Sequence, residues 1–143
     1  MKATGFYIRE IPGHFTWPLR QKVMYPGQSV ESVILEDDAR GTHFGLYSAD
    51  DELRSVISLF YREDGRYQFR KFATDTTQQG KGYGSALLSY TIDFCRKEKG
   101  RTLWCNARKS ASSFYKRYHF TETNTTFFKK GHDYVIMELP LYL

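Results

Sequence analysis

Three runs of apolar and aromatic residues occupy the middle of the chain. They extend from His43 to Tyr47, from Leu53 to Tyr61 and from Tyr67 to Thr74. Acidic segments typical of turns, Ala49-Asp50-Asp51-Glu52 and Glu63-Asp64-Gly65, separate these runs. Short strands joined by such short connections predict an antiparallel meander.

After Thr74 the hydrophobic pattern changes from the spacing of a strand to that of a helix. The residues at helical spacing on one face are Tyr83, Ala86, Leu87, Tyr90, Thr91 and Phe94. Gly100 ends this predicted helix, and the run from Thr102 to Asn106 predicts another strand. Residues 67 to 106 therefore predict a βαβ unit, whose two strands should be parallel.

The two ends of the chain carry weaker patterns. A strand from Ala3 to Ile11 and a helix from Gly13 to Met24 are predicted near the N-terminus. Ser110 is a suitable N-cap for a second helix, and strands are predicted from Phe120 to Phe128 and from Tyr134 to Leu139. Together the elements predict an α/β fold with a mixed, mostly antiparallel central sheet flanked by helices.

The composition is that of one folded domain. A length of 143 residues suffices for one hydrophobic core, so residues 1–143 are expected to form a single domain. The formal net charge of +5 favours anionic partners. No apolar run approaches the roughly 20 residues that cross a bilayer, and the N-terminus lacks a signal-like apolar stretch. A cytoplasmic protein with no membrane partner is therefore expected.

Two further classes of partner are not expected from the sequence. Cys95 and Cys105 are the only cysteines, and neither belongs to a CxxC or Cys/His arrangement, so no metal is expected. Both are expected to be reduced thiols in or near the core. The 21 basic residues do not cluster into a stripe, so no nucleic-acid partner is expected.

Three glycines alternate in Gly80-Lys81-Gly82-Tyr83-Gly84, where a predicted strand gives way to a predicted helix. Glycine costs a helix about 1 kcal/mol relative to alanine, so its use here indicates a requirement of the backbone. Without Cβ atoms, main-chain N–H groups can approach a phosphate at the positive end of the helix. The structural alternative is a helix start that packs closely against a strand.

Two common phosphate-binding motifs do not fit these glycines. The P-loop string GxxxxGK[ST] is absent from the chain. The dinucleotide fingerprint GxGxxG fails as well, because Ser85 or Leu87 stands where the third glycine is required.

The string from Gln79 to Gly84 matches the (Q/R)xxGx(G/A) signature of the GNAT superfamily of N-acyltransferases. Before it, the segment from Arg70 to Asp75 resembles the family's strand that ends in an apolar-Ala-Val-Asp stretch. After it, Asn106-Ala107-Arg108 and the segment from Phe114 to Phe120 resemble the family's second motif. These parts follow one another in the family's order, and weaker similarity at both ends is to a bacterial subgroup.

The resemblance implies an N-acetyltransferase that moves an acetyl group from acetyl-CoA to a primary amine by direct transfer in a ternary complex. It implies that the pyrophosphate of CoA lies on the glycine-rich backbone and that the pantetheine arm pairs like an added strand. It also implies a GNAT-like sheet with a gap beside the parallel βαβ unit. The implied cofactor-binding residues are Phe72, Ala73, Thr74, Gln79, Gly80, Lys81, Gly82, Tyr83, Gly84 and Asn106.

Amine acetylation needs a neutral amine, a donor for the thioester oxyanion and a proton for the departing thiolate. Tyr115 stands at the position of the family's tyrosine acid, although its helical stripe is also compatible with a core position. A backbone N–H near Ala73 or Thr74 is the implied oxyanion donor. The preceding strand carries no glutamate, so Asp75, His132 or a water chain remain the candidates for the base.

The sequence departs from the family's pattern at His119, where a glycine is usual, and at Thr74, where a valine is usual. If the family's glycine is left-handed, histidine tolerates that conformation at some strain. Because no base is evident, a non-catalytic acyl-CoA-binding module for sensing or scaffolding is the alternative function.

The acceptor amine is not specified by these motifs. The candidates for lining its pocket are Trp17, Tyr25, His43 and His132. Dimers are common among proteins of this family, although the sequence itself does not specify an oligomeric state.

Overall fold

A seven-stranded sheet runs through the protein, whose computed structural model describes residues 5–142. The strands are β1 (Tyr7–Ile11), β2 (Thr42–Tyr47), β3 (Leu53–Tyr61), β4 (Arg66–Thr74), β5 (Thr102–Arg108), β6 (Thr121–Lys129) and β7 (His132–Pro140). Their order across the sheet is β1-β2-β3-β4-β5-β7-β6. Among the strand pairs of these residues, only β4 and β5 are parallel. The predicted mixed, mostly antiparallel sheet is confirmed.

Helices cover both faces of this sheet. They are α1 (Trp17–Met24), α2 (Tyr83–Lys97) and α3 (Ser112–Lys116), and short 3-10 turns precede α1 and α3. Leu19 of α1 packs with Val56 and Ala73 on one face. Leu87 of α2 packs with Ile57 on the other face, because successive residues of β3 point to opposite sides.

The buried face of α2 differs in part from the predicted stripe. Tyr90 is 39% exposed and contacts Phe44 only edge-on, with ring centroids 5.1 Å apart. The fully or almost fully buried residues of α2 are Tyr83, Leu87, Leu88, Thr91, Ile92 and Cys95. The buried face of α2 is therefore rotated toward Leu88 and Ile92 relative to the prediction. Tyr90 consequently lies at the edge of this face, where its side chain reaches solvent.

Both cysteines are free and buried, as predicted. Burial raises the pKa of the Cys95 thiol to about 12, and the charge of Glu98 adds to this effect. Burial also raises the pKa of the Cys105 thiol to about 12. The two side chains are therefore protonated at neutral pH and act as small core residues.

Several strand boundaries differ from the predictions by one or two residues, and larger differences occur near the N-terminus and before α3. β1 begins at Tyr7, whereas the predicted start at Ala3 lies outside the described residues. The first part of the predicted N-terminal helix, up to Thr16, is a 3-10 turn. Ser110 does not cap α3, because β5 continues to Arg108 and Ser110 then lies within a 3-10 turn. Ala111 occupies the cap position instead.

A buried ion pair fastens α1 and the segment that follows it to β3. Arg20 is fully buried, and its guanidinium donates to both carboxylate oxygens of Asp38 at 2.8 Å. It also donates to Ser58 Oγ at 2.8 Å and to the carbonyl of Val33 at 2.9 Å. His43 contacts Ser58 Oγ through Nδ1 at 2.7 Å, and its Nε2 lies 2.8 Å from the carbonyl oxygen of Asp38. This network holds the long connection between α1 and β2 on the sheet.

His119 adopts a left-handed φ of 74° between α3 and β6, in agreement with the sequence comparison. Replacing it by glycine is expected to raise the free energy of unfolding by about 0.5–1 kcal/mol, because glycine adopts this conformation without the Cβ penalty. Urea unfolding of the two proteins measures the difference. His132→Gly, within β7, is the matched control and should lower stability. An unchanged or lower stability of His119→Gly would contradict the assignment of strain.

Candidate active site

The two parallel strands separate soon after they meet. β4 and β5 pair over three residues, and the last pair places Gln68 opposite Trp104. Beyond this point β5 pairs with β7 on its other side, as far as Arg108. The backbone of β4 from Phe69 onward therefore has a free edge toward β5.

A bulge in β4 follows the point of separation. Arg70 and Ala73 pair with residues of β3 that are only two apart, so Lys71 and Phe72 share one opposite residue. Lys71 has a left-handed φ of 53°. Bulges bend the strand that carries them, so the two halves of β4 point in different directions. One cleft lies beside each half.

The first cleft, of about 700 Å³, lies beside the second half of β4 and the N-terminus of α2. Eight of the ten predicted cofactor-binding residues line it: Phe72, Ala73, Thr74, Gln79, Gly80, Gly82, Tyr83 and Gly84. Lys81 lies in the same loop, and its Nζ donates to Gln78 Oε1 at 2.8 Å. Asn106, the tenth, lines the second cleft described below.

The glycines of the first cleft meet specific backbone requirements. Gly82 precedes α2 with a left-handed φ of 83°, which favours glycine. A Cβ on Gly84 would lie 3.0 Å from Thr74 Oγ1, so any side chain there would crowd the strand. The first intrahelical bond runs from Ala86 to Gly82, which leaves the N–H groups of the first turn without helical acceptors. These N–H groups, at the positive end of a 15-residue helix, suit a phosphate.

Asp75 organises the loop that leads to the glycines. Its carboxylate accepts from the backbone N–H of Thr77 at 3.1 Å and forms ion pairs with Lys22 at 3.2 Å and Arg54 at 3.3 Å. Burial alone raises the pKa of Asp75, but the hydrogen bonds from Thr77 and Lys22 outweigh it and lower the pKa. Asp75 lines neither cleft, and its carboxylate is engaged in these contacts with the loop, Lys22 and Arg54.

Tyr115 packs between aromatic residues of the two clefts, although its own side chain is not among the lining residues of either cleft. Its ring packs on Phe114, which lines the first cleft, with centroids 5.2 Å apart. It also packs on Phe69, which lines the second cleft, at 5.7 Å. Burial raises the pKa of the Tyr115 phenol, and the nearby Cys105 thiol adds to the effect. The phenol therefore keeps its proton at neutral pH.

The second cleft, of about 280 Å³, lies beside the first half of β4 and across the gap from β5. Its basic lining residues are Arg70, Lys71, Arg108, Lys129 and Lys130. Lys71 Nζ donates to the hydroxyl of Tyr25 at 2.5 Å, and Tyr25 also lines the cleft. Burial raises the pKa of Tyr25, but the hydrogen bond and charge of Lys71 and the charge of Lys130 outweigh it, so the pKa is lowered.

The structure brings only part of the predicted acceptor and catalytic set to these clefts. His132 is exposed at the start of β7, paired with Lys129 across the hairpin, and lines neither cleft. Trp17 donates to Asp38 at 3.2 Å, and His43 belongs to the same buried network. Of the four candidates for the acceptor pocket, Tyr25 lines the second cleft and the other three line neither.

Several lining residues were not identified from the sequence. Arg117 lines the first cleft and stacks over Phe114, with its guanidinium carbon 5.3 Å from the ring centroid. Its position directly after α3, within the segment that resembles the family's second motif, could have indicated that Arg117 lies near the cofactor-binding residues. Lys71 and Lys130 meet at Tyr25 only through the fold, so no local pattern indicates their proximity.

The described residues contain neither a membrane-spanning helix nor a cluster of metal ligands. None of the helices in residues 5–142 is long and apolar enough to span a membrane. Within the same residues, no cluster of His, Cys, Asp and Glu side chains is arranged to hold a metal ion.

The family model of the acetyltransferase (GNAT) domain matches residues 18–141. The chain belongs to the GNAT family and is an acetyl-CoA-dependent acyltransferase. The predicted enzyme class and family are confirmed, and so is the GNAT-like fold.

Individual relatives agree with this assignment. The chain is 26% identical over 128 residues to YitI of Bacillus subtilis (strain 168), an uncharacterised N-acetyltransferase, with 84% of this chain and 85% of that protein covered. The crystal structure of an N-acetyltransferase candidate from Lactobacillus plantarum superposes with a TM-score of 0.87 at 20% identity, covering 97% of this chain and 100% of that one.

A GNAT acetyltransferase from Elizabethkingia anophelis, solved with acetyl-CoA bound, has a TM-score of 0.72 at 14% identity. The superposition covers 95% of this chain and 98% of that chain. These structural neighbours share the fold.

Proposed function

We propose that this acyltransferase acetylates a primary amine by direct transfer, with acetyl-CoA in the first cleft and the amine in the second. The observation that carries the proposal is the gap between β4 and β5, because both clefts adjoin β4, one on each side of the bulge at Lys71 and Phe72. A donor and an acceptor held there would face each other without a covalent enzyme intermediate. Such juxtaposition is itself a large contribution to the rate.

The first cleft fits acetyl-CoA by its shape and its polar groups. Acetyl-CoA supplies the acetyl group as a thioester. The N–H groups from Gly82 to Gly84 would hold its pyrophosphate, with Arg117 and Lys81 as cationic side chains nearby. The free edge of β4 from Phe72 to Thr74 offers unpaired strand positions to the amide-bearing arm and one N–H to the carbonyl oxygen.

The acceptor must be neutral to attack, and no carboxylate lines either cleft. The cationic lining of the second cleft disfavours an ammonium ion, because like charges repel at short range. The lining would therefore shift a bound amine toward its neutral form. Water in the gap is then a sufficient acceptor for the proton.

Tyr115 is the proposed proton donor to the departing sulfur. Tyr115→Phe is expected to lower kcat by about 10²-fold or more while the affinity for acetyl-CoA stays the same, because only the hydroxyl is lost. Initial rates of CoA release and calorimetric titration measure the two quantities. Tyr118→Phe is the matched control, since Tyr118 also packs on Phe114, at 5.5 Å, and has no proposed role. Full turnover by Tyr115→Phe would remove the assignment.

The proposal as a whole is tested by incubating the protein and acetyl-CoA with small primary amines and by identifying the product by mass spectrometry. An N-acetylated amine formed together with CoA is the expected result. Kinetics in which both substrates must be bound before any product leaves would support the ternary complex. Tight acetyl-CoA binding without acetylation of any amine would contradict the proposal and favour the acyl-CoA-binding module.

A further inference from the structure

The second cleft is a strongly cationic cavity within the described residues. Five side chains that line it are basic, and none is acidic. Three of them come from β4 and β5, one from the last residue of β6 and one from the turn between β6 and β7. They are Arg70, Lys71, Arg108, Lys129 and Lys130. Because they come from both sides of the gap, their charges surround whatever enters.

These charges have no counterions among residues 5–142. The ion pairs of that part of the chain involve other basic residues, and none of the five takes part. Burial raises the pKa of the Asp37 carboxyl, but the hydrogen bond and charge of Arg62 outweigh burial, and the charge of Arg70 makes a smaller contribution to lowering the pKa. Yet Asp37 is already paired with Arg62 at 2.8 Å. The cavity thus retains a net positive potential.

Two of the ammonium groups converge on one phenol. Lys71 Nζ lies 4.6 Å from the ring centroid of Tyr25 and donates to its hydroxyl, and Lys130 Nζ lies 5.5 Å from the same centroid. Lys71 is held there by the left-handed bulge of β4. The phenol hydroxyl and the two ammonium groups form a site of preorganised donors, which is the arrangement that binds anionic oxygens.

The cavity volume limits the size of the occupant. At about 280 Å³, it is slightly smaller than the sites that bury drug-sized ligands, which start near 300 Å³. A compact amine of amino-acid size fits such a volume. A dicationic amine would place a second positive charge among the five basic residues.

We propose that the second cleft selects small primary amines that also carry an anionic oxygen group, a carboxylate or a phosphate. This inference rests on the proposed function, since it names the acceptor class of the same site. The anionic group would lie toward the side-chain ends of Lys71, Lys130 and Tyr25, and the amino group toward the β4 backbone at Phe72 and toward Asn106. An uncharged or dicationic amine would leave the cationic lining without a partner.

The test compares four amines of similar length. β-Alanine and O-phosphoethanolamine carry the anionic groups, propylamine is uncharged apart from its amine, and 1,3-diaminopropane is dicationic. Rates of CoA release, corrected for the fraction of neutral amine, should give kcat/KM values at least about tenfold higher for the two anionic amines. The ratio between those two distinguishes a carboxylate site from a phosphate site.

Charge-reversal variants test whether the cleft causes the preference. Lys130→Glu should remove most of the preference for anionic amines. Lys97→Glu changes the net charge equally at an exposed position near the end of α2 and should retain the preference. The acetyl-CoA affinity of each variant checks that it is folded. Acetylation without any preference for anionic amines, or a preference unaffected by Lys130→Glu, would overturn the inference and leave amine acetylation standing.

A binding measurement distinguishes failure of the proposed amine selectivity from failure of the proposed acetyl transfer. The four amines are titrated into the protein saturated with CoA, which removes chemistry from the readout. Selective binding of the anionic amines without acetylation of any amine would support the cleft's selectivity and overturn the proposed transfer. Neither selective binding nor acetylation would overturn both.

Discussion

Replacing Gly82 and Gly84 together by glutamate is expected to weaken acetyl-CoA binding by at least about 100-fold. Gly82 has a left-handed φ of 83°, which an L side chain adopts only with strain. A Cβ at residue 84 would approach Thr74 Oγ1 to 3.0 Å. The two new carboxylates would also stand at the proposed pyrophosphate site beside the helix N-terminus, and each like-charge contact costs further binding energy.

Calorimetric titration of acetyl-CoA into the wild type and the double variant measures this effect. Ser89→Glu is the matched control, because it adds a carboxylate to the exposed face of the same helix, outside either cleft. The control should bind as the wild type does, and a thermal unfolding scan of all three proteins shows which are folded. Wild-type affinity in a folded double variant would place the cofactor elsewhere.

Arg20→Met is expected to lower the free energy of unfolding by about 3–5 kcal/mol, the largest stability effect of any single substitution considered. The change leaves the Asp38 carboxylate buried without its cation, and a buried unpaired charge is costly. Two weaker donors would remain, the Leu35 N–H at 3.0 Å and the Trp17 indole at 3.2 Å. Urea unfolding measures the change.

A surface pair provides the control for this experiment. Lys116 and Glu122 are 3.5 Å apart and both side chains are exposed, so Lys116→Met should cost no more than about 1 kcal/mol. Arg20→Met combined with Asp38→Leu should regain part of the loss, since the buried charge is then gone. Equal effects of the Arg20 and Lys116 substitutions would show that burial does not set the strength of these pairs.

The same ion pair makes a contribution to acid stability with a definite sign. Burial raises the pKa of Asp38, but the hydrogen bonds from Arg20 and from the Leu35 N–H outweigh it, so the folded pKa lies below 3.8. The unfolded chain then binds this proton more readily. The resulting stability is present above the unfolded pKa and is lost as pH falls through the folded pKa. In the Arg20→Met variant this part of the acid sensitivity should be smaller.

The features that the sequence predicted are those encoded by neighbouring residues. The glycine loop, the strand before it and the helix after it lie within residues 66–97, and eight residues predicted from them line one cleft. The tolerance of His119 for a left-handed turn was likewise a local property.

The features that were missed depend on distant contacts. Lys71 and Tyr25 are 46 positions apart, and their contact requires the β4 bulge and the Arg20 network together. The insertion of β7 between β5 and β6 follows from hairpin pairing and not from chain order. Ser110 was assigned as a cap because a serine favours that position, but the extra length of β5 moved the helix start.

The short parallel contact has a consequence for the cooperativity of the fold. Within residues 5–142, three residue pairs form the only ladder between the half-sheet β1–β4 and the half-sheet β5–β7–β6, although helices and side chains also connect them. A ligand whose arm lies in the gap would supply backbone-type hydrogen bonds to β4 beyond the last paired residue, Gln68. The two half-sheets would then unfold as one unit. The cooperativity of unfolding would therefore depend on how much of the protein has ligand bound, as well as on its sequence.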